Sequence, residues 1–197
     1  MRGRWIVGLT LSAFAAASVA SAGHPQERHG FWFALGGGVG SARVTCDGCG
    51  DGDRETSGVV HLAFGGTLGK NVLLGADYNV WVKQREEFAT VALGTGLLTI
   101  TVYPDSSGGF FLKDGGGISV AHNDAIRGRT TISVDYGTGF GLVGGAGYDI
   151  RAWKNTSITP AVSYWYGSHG DVTAGGVTLF RNWKYNVVDV TLSFTFH

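Results

Sequence analysis

A serine, a histidine and an aspartate lie within four residues in the stretch "YWYGSHGD", at Ser168, His169 and Asp171. These are the side chains of nucleophilic hydrolysis, in which a histidine takes the proton of a serine hydroxyl. Adjacent residues of an extended chain point to opposite sides, so Ser168 and His169 are poorly placed to share a hydrogen bond. The sequence also has no G-x-S-x-G elbow. We therefore expect polar loop residues here and predict that the chain is not an enzyme.

The two cysteines, Cys46 and Cys49, stand in the motif "CDGC". A metal site would need a second cysteine pair or histidines at ligand spacing, and neither follows. A redox-active CxxC normally opens a helix, whereas this one lies among glycines and aspartates. We predict a candidate disulfide that stiffens a loop, with no metal and no cofactor. The "DGDRE" that follows lacks the ligand order of a calcium loop and is interpreted as a solvated acidic segment.

Two later stretches, both predicted to be loops, combine cationic and aromatic side chains, which are enriched at binding hot spots. The candidate loop-binding residues are Arg127, Arg129, Phe180, Arg181, Trp183 and Lys184. The alternative is an aromatic girdle whose basic residues reach lipid phosphates.

Composition limits the remaining possibilities. The chain has 197 residues, enough for one domain, and its 15 basic residues balance 15 acidic ones, so no basic field would attract nucleic acid. The 34 glycines occur with only 3 prolines and with 12% aromatic residues. This combination favours many closely packed strands.

Residues 1–22 are predicted to be a cleaved signal peptide, and residues 23–197 the folded domain. Arg2 and Arg4 precede an uncharged apolar run that ends in the small-residue motif Ala20-Ser21-Ala22. No later apolar run approaches the roughly 20 residues that a transmembrane helix needs. An exported chain of this kind is either soluble or crosses a membrane as a β-barrel.

Alternation with a period of two runs through most of the chain and is typical of strands with two different faces. In the last segment, "VVDVTLSFTFH", Val188, Val190, Leu192, Phe194 and Phe196 alternate with polar residues. Seven further segments alternate in the same way, some of them less regularly, and short connections tend to alternate with longer ones. The sequence therefore predicts an all-β fold, an eight-stranded antiparallel up-and-down transmembrane barrel.

A soluble lipocalin-like barrel or a β-sandwich would also alternate. Charges within the strands are few, however, and the apolar faces carry tyrosine and phenylalanine near their ends, as membrane barrels do. The expected polar network of the lumen comprises His61, Asp77, Asn79, Lys83, Lys113, Asp135, Asp149 and Asp189. The favoured interpretation is a structural polar plug, and the alternative is a narrow ion path. The orientation of Asp114 stays open, because a bulge at residues 115–117 could turn it inward.

These features resemble the small eight-stranded outer-membrane β-barrel proteins of Gram-negative bacteria. The resemblance rests on export, eight alternating strands, the "GGGVG" of the first strand and the aromatic-ended last strand. It implies that Val190, Leu192, Phe194 and Phe196 form the signal read by the barrel-assembly machinery, although the aromatic residue is penultimate and His197 is last.

The resemblance also implies an integral outer-membrane protein in contact with the bilayer and lipopolysaccharide, and we expect a monomer. Its expected function is structural or surface-binding through extracellular loops. A narrow porin-like channel and a lipid-modifying enzyme are the alternatives.

Overall fold

The computed structural model describes residues 28–49, 52–85, 89–127, 130–174 and 177–197. The predicted signal peptide and Arg129 lie outside these ranges. Within them, none of the chain forms a helix long and apolar enough to cross a membrane.

Nine strands account for nearly all of the described chain, because the alternating segments pair along their full length. They are β1 (Phe31–Asp47), β2 (Glu55–Gly69), β3 (Val72–Arg85), β4 (Ala89–Val102), β5 (Phe110–Arg127), β6 (Thr130–Tyr148), β7 (Ile150–Trp153), β8 (Thr156–Ala174) and β9 (Val177–Phe196). Strands β6 and β7 both pair with β8 and are separated only by Asp149, so together they make one strand of the barrel.

With β6 and β7 counted as one strand, each barrel strand pairs antiparallel with the next in sequence, and β1 pairs with β9 to close the sheet. The pairing runs from Phe33 opposite Phe196 to Asp47 opposite Arg181, with one register shift between Thr45 and Asp47. The predicted eight-stranded up-and-down barrel is thereby confirmed. Closure removes the free sheet edge that would otherwise expose unpaired backbone groups.

The barrel has two ends. One end carries the short turns 69–72, 102–110 and 153–156, together with Phe31 and Phe196, and we call it the turn end. We call the hairpin end the opposite one, where β1 connects to β2, β3 to β4, β5 to β6 and β8 to β9.

The two walls of the barrel follow the alternation predicted from sequence. On β9 the outward Phe194 is 59% exposed, whereas its neighbours Ser193 and Thr195 are 4% and 6% exposed. The same alternation leaves large apolar side chains on the outer wall of all eight barrel strands. The outer wall is thus apolar, and the described charged groups of the barrel strands lie mainly inside or at the hairpin end.

Two predicted loops are wrong and form strands instead. Residues 168–174 belong to β8 and residues 177–185 to β9, where Ser168 pairs with Lys184 and Val172 with Phe180. Residues 123–127 likewise belong to β5, and Thr130 begins β6. Polar composition suggested loops, but antiparallel pairing satisfies the backbone equally well beyond the apolar wall, and register shifts absorb the irregular spacing.

Asp114 faces outward. Strand β5 keeps its register with β4 from Leu112 onwards and with β6 from Phe110 to Val120. A register shift with β6 follows only between Val120 and His122. The bulge that could have turned Asp114 inward is therefore absent from this part of β5.

Glycines on the inner wall give room to aromatic rings. A Cβ atom on Gly167 would lie 2.5 Å from the ring of Tyr185, and one on Gly40 would lie 3.2 Å from the Trp81 ring. Such distances leave no space for a side chain beside these rings. The high glycine content therefore reflects the narrow interior of an eight-stranded barrel.

Candidate functional site: the barrel interior and its hairpin end

The central part of the interior holds a charged group, which we call the central network: His61, Asp77, Thr99, Lys113 and Ser193. The Lys113 ammonium donates to Asp77 Oδ2, and the Thr99 hydroxyl donates to Asp77 Oδ1 over 3.2 Å. His61 Nε2 lies 3.4 Å from Asp77 Oδ2, and His61 Nδ1 lies 3.3 Å from Ser193 Oγ. Strands β2, β3, β4, β5 and β9 thus each contribute one member, and Asp77 is neutralised across the barrel.

A second group, the basal network, fills the turn end: Arg28, Tyr103, Asp149, Thr159 and His197. The hydroxyls of Tyr103 and Thr159 donate to the Asp149 carboxylate over 2.8 and 2.7 Å, and His197 Nε2 lies 3.3 Å from it. Arg28 Nη2 lies 3.7 Å from the same carboxylate. Asp149 therefore binds groups from four separate parts of the chain.

Arg28 crosses beneath the barrel to reach this network. Its guanidinium donates to the carbonyls of Ser106 and Gly108, over 3.3 and 2.8 Å, and its Cζ lies 3.4 Å from the centre of the Tyr103 ring. Burial raises the pKa of the Tyr103 hydroxyl, and the Asp149 carboxylate adds to this shift. Tyr103 therefore stays protonated and acts as a hydrogen-bond donor.

The hairpin half of the interior is filled by rings, which we call the aromatic plug: Trp81, Trp165, Trp183, Tyr185 and Tyr136. Trp165 and Tyr185 are fully buried and meet edge to face, with ring centres 6.1 Å apart. Trp183 stacks on Tyr136 at 4.8 Å and meets Tyr185 at 5.8 Å. The Tyr185 hydroxyl donates to the Gly94 carbonyl across the barrel over 2.6 Å.

Asp189 links the aromatic plug to the central network. Its Oδ2 accepts a hydrogen bond from Trp165 Nε1, while its Oδ1 has no partner within the described part of the protein. Asp189 also lines a cavity of about 50 Å³, together with His61, Asp77 and Lys113. Buried polar groups of this kind are commonly satisfied by ordered water, for which the cavity has room.

The remaining residues predicted to face the lumen differ in how deeply they lie in the barrel. Asn79 is buried, and its amide lies 3.4 Å from Thr95 Oγ1. Lys83 lies near the hairpin end, where its ammonium is 3.7 Å from Glu55 and is partly exposed. Asp135 belongs to β6, but its side chain lies outside the described residues.

Ser168 and His169, which the sequence suggested were poorly placed to share a hydrogen bond, do not pair in the structure. Ser168 and His169 point to opposite faces of β8, and His169 Nε2 instead lies 3.0 Å from the hydroxyl of Ser119. His169 Nδ1 is 3.3 Å from the Tyr136 carbonyl, a position that a catalytic carboxylate would occupy in a triad. Ser119 is fully buried, so its hydroxyl is not exposed to a substrate.

The candidate binding residues of the hairpin end fall into two groups. Trp183 is buried in the aromatic plug, whereas Phe180 is half-buried and stacks on Tyr136 with ring centres 6.0 Å apart. Arg181 is exposed and Lys184 is half-buried on the outward side of β9. The side chain of Arg127 and all of Arg129 lie outside the described residues.

Cys46 and Cys49 form a disulfide at the end of β1, with their Cα atoms 5.3 Å apart. The backbone N–H of Cys49 also donates to the Cys46 carbonyl over 3.3 Å, as in a tight turn. The four residues predicted as an assembly signal, Val190, Leu192, Phe194 and Phe196, all lie on the outer wall of β9.

Sequence reasoning missed most of the basal network. Tyr103 lies in a turn and Arg28 precedes the first strand, so no periodicity pointed to either side chain. His197 could have been found, because it continues the inward series of Asp189, Thr191, Ser193 and Thr195.

Comparisons with known proteins support the fold. No protein-family model matches this chain, and no curated protein matches it. Among solved structures it is similar to neisserial surface protein A, with 12% identity over 83% of this chain and 95% of that one and a TM-score of 0.55. It is equally similar to Ail, the attachment invasion locus protein of Yersinia pestis, with 11% identity over 85% and 99% of the two chains and a TM-score of 0.55.

Ail is also similar in its complex with the heparin analogue sucrose octasulfate, with 10% identity, coverage of 85% and 99% and a TM-score of 0.53. At these identities the likeness concerns the fold alone. The chain has the fold of the small eight-stranded outer-membrane β-barrels.

Proposed function

We propose that this protein is a non-enzymatic, integral β-barrel of the bacterial outer membrane, structural or surface-binding through its hairpin end. Residues 1–22 would direct export and be removed, the turn end would face the periplasm and the hairpin end the outside of the cell. The main support for a membrane-spanning protein is the continuous apolar outer wall around the closed barrel, because a soluble protein rarely exposes an apolar surface of this extent.

The aromatic plug favours the interpretation of the interior as a structural core, and argues against an open channel. Trp165 and Tyr185 are fully buried in the hairpin half of the interior, and Tyr185 is hydrogen-bonded to the opposite wall. An ion that crossed the barrel would have to displace these rings and their hydrogen bonds. We expect no stepwise conductance in planar-bilayer recordings, and a reproducible single-channel current would favour the porin-like alternative.

Fractionation tests the proposal as a whole. We expect the mature protein in outer-membrane fractions, resistant to protease when folded, with a gel migration in detergent that changes on heating. A mature protein that is freely soluble after cell breakage would overturn the proposal.

The proposed partner at the hairpin end is the phosphate of lipopolysaccharide. Arg43, Arg54 and Lys184 lie on the outward side, just beyond Val39 and Val188 of the apolar wall. Arg54 donates to the Ser41 carbonyl over 2.8 Å and to Asn186 Oδ1, which holds its guanidinium near the outer wall. A solved complex of the similar Ail with a highly sulfated sugar is consistent with anion binding on this fold.

Vesicles with and without lipopolysaccharide test this partner. We expect lipopolysaccharide to raise the unfolding temperature of the native protein, and to raise it less for a variant with Arg54→Ala and Lys184→Ala. Lys70→Ala with Lys154→Ala is the matched control, because these exposed lysines lie at the turn end. Equal responses of the two variants would contradict the proposed contact.

The outward apolar residues of β9 are proposed as the signal for the barrel-assembly machinery. Replacing Phe194 and Phe196 by serine should lower the amount of inserted protein in cells. The matched control replaces Phe31 and Phe33 of β1, which are outward aromatic residues at the same end. Equal losses in both variants would indicate a general effect of the apolar wall.

A further inference from the structure

Asp114 is placed where a charged side chain is unfavourable. It lies on the outer wall of β5 in series with Phe110, Leu112, Ile118 and Val120, all of which are exposed. It is four residues from Phe110, a depth of about 10 Å from the turn-end rim for a strand tilted by about 40°. The position therefore falls well inside the apolar wall.

Asp114 is also the only formally charged group among the described outward residues of the apolar wall, between its two rims. Its carboxylate accepts a hydrogen bond from the N–H of the next residue, Gly115, over 3.1 Å. One local bond leaves the other acceptor positions of a carboxyl group unsatisfied. In hydrocarbon such a group is costly, and an ionisable residue at this depth is a mark of an interaction site.

The wall is recessed on the β6 side of Asp114, whereas Ile100 of β4 stands opposite Asp114 on the other side. The outward residues on the recessed side include Gly144, directly opposite on β6, and Gly116, two residues along β5. A Cβ atom on Gly144 would meet nothing within 4 Å, and one on Gly116 would make only an ordinary contact of 3.5 Å with Leu142. The glycines are therefore not required by packing within this chain, and they leave the Asp114 carboxyl accessible to a second surface.

We propose that this recess is the contact surface of a dimer of two identical chains, in which the two Asp114 carboxyl groups hydrogen-bond to each other. The proposal rests on insertion into a membrane as proposed above. It replaces the expectation of a monomer that the sequence alone suggested.

A second copy fits the chemistry better than any group on the chain's own described outer wall, which offers no cation at this depth. When two carboxyl groups share a proton, the protonated group donates a hydrogen bond and the other group accepts it. Two copies inserted in the same direction hold Asp114 at one depth, as a two-fold axis along the membrane normal requires. Small residues at such contacts let two backbones approach closely.

Disulfide trapping tests the dimer in phosphatidylethanolamine and phosphatidylglycerol vesicles. Gly144→Cys is introduced with Cys46→Ser and Cys49→Ser, so that the new thiol is the only one. Leu35→Cys in the same background is the matched control, since Leu35 lies on β1, opposite β5, and is four residues from Phe31 as Asp114 is from Phe110. We expect a covalent dimer from Gly144→Cys under mild oxidation and little from Leu35→Cys.

Substitutions of Asp114 then identify the bond. Asp114→Ala should lower the trapped dimer roughly three- to fifteenfold, the range expected for a hydrogen bond within a membrane. Asp114→Asn should retain it, because an amide also combines a donor with an acceptor. Equal trapping at both cysteine positions, or no change with Asp114→Ala, or an equal loss with Asp114→Asn, would overturn the dimer.

Heat-modifiable migration of every variant separates this inference from the proposed function. A chain that migrates as a folded barrel but gives no dimer contradicts the contact at Asp114 alone. A native chain that does not insert contradicts the membrane assignment, and the dimer with it.

Discussion

The two halves of the barrel interior are filled in different ways although the same eight strands surround both. Charged and hydroxyl groups of the turn half gather around Asp77 and Asp149, beside a buried apolar cluster around Trp32 and Phe111. The hairpin half has no such charged centre among its described residues and is filled mainly by rings, of which Tyr185 packs against Gly167. A narrow barrel interior can thus be stabilised by paired charges or by closely packed aromatic rings. We expect the turn half to be destabilised by loss of a charge partner and the hairpin half by a change in side-chain volume.

The largest expected effect is in the central network. Lys113→Met would leave the Asp77 carboxylate buried without its ammonium partner, which should lower the free energy of unfolding by about 3–5 kcal/mol. Urea titration in lipid vesicles, followed by tryptophan fluorescence, measures this. Adding Asp77→Leu should recover much of the loss, because the unpaired charge is removed with it. If Lys113→Met left the free energy of unfolding unchanged, the stability of the turn half would not depend on charge pairing.

A smaller effect is expected in the basal network. Tyr103→Phe removes the hydroxyl that donates to Asp149 and should cost about 1.5–3 kcal/mol, the range for a hydrogen bond to a charged group. Tyr78→Phe is the control, since Tyr78 faces outward and is 48% exposed. The same urea titration applies, and equal effects of the two substitutions would remove the distinction between the inner and outer walls.

The hairpin half should respond to added volume. Gly167→Val places side-chain atoms against the Tyr185 ring and should cost about 1–3 kcal/mol by overpacking. Gly58→Val is the control, because a Cβ atom there would meet nothing within 4 Å. If Gly167→Val were tolerated as well as Gly58→Val, the aromatic plug would be loosely packed and the contrast between the two halves would weaken.

The smallest effect is outside the barrel, in the turn that follows β4. The Ser107 hydroxyl and backbone N–H donate to Asp105 over 2.7 and 2.8 Å and hold the pKa of that carboxyl below its ordinary value. A lowered pKa stabilises the folded state above the ordinary value, and this small contribution is lost as the pH falls through the folded pKa. Ser107→Ala should raise the pKa of Asp105 in an NMR titration, and an unchanged value would contradict the assigned cause.

The fold could be predicted because alternation with a period of two is a local property of the sequence. The last strand illustrates this, since Phe194 and Ser193 face the sides that their polarity indicates. The hairpin end was harder to predict, because beyond the apolar wall the polarity of both faces becomes similar. Segments such as 168–174 and 177–185 then lose the pattern but keep the backbone pairing.

The sequence predicts which residues face the interior of the barrel, but not which of their side chains are in contact with each other. Parity alone assigns Asp77, Lys113 and His61 to the inner wall, but which of them meet depends on the stagger between strands. The stagger brings Lys113 to Asp77 across β4. Arg28 joins the basal network through a path outside the sheet, which no strand pattern encodes.

The residues that precede the first strand and follow the last strand both contact Asp149, and this bears on the order in which the barrel folds. Arg28 stands just ahead of β1 and His197 directly follows β9, and both reach the carboxylate that interrupts β6 and β7. These two side chains can reach Asp149 together only after the first and last strands have met. We therefore expect the full set of Asp149 partners only in the closed barrel, and in no earlier intermediate in which β1 and β9 are still apart.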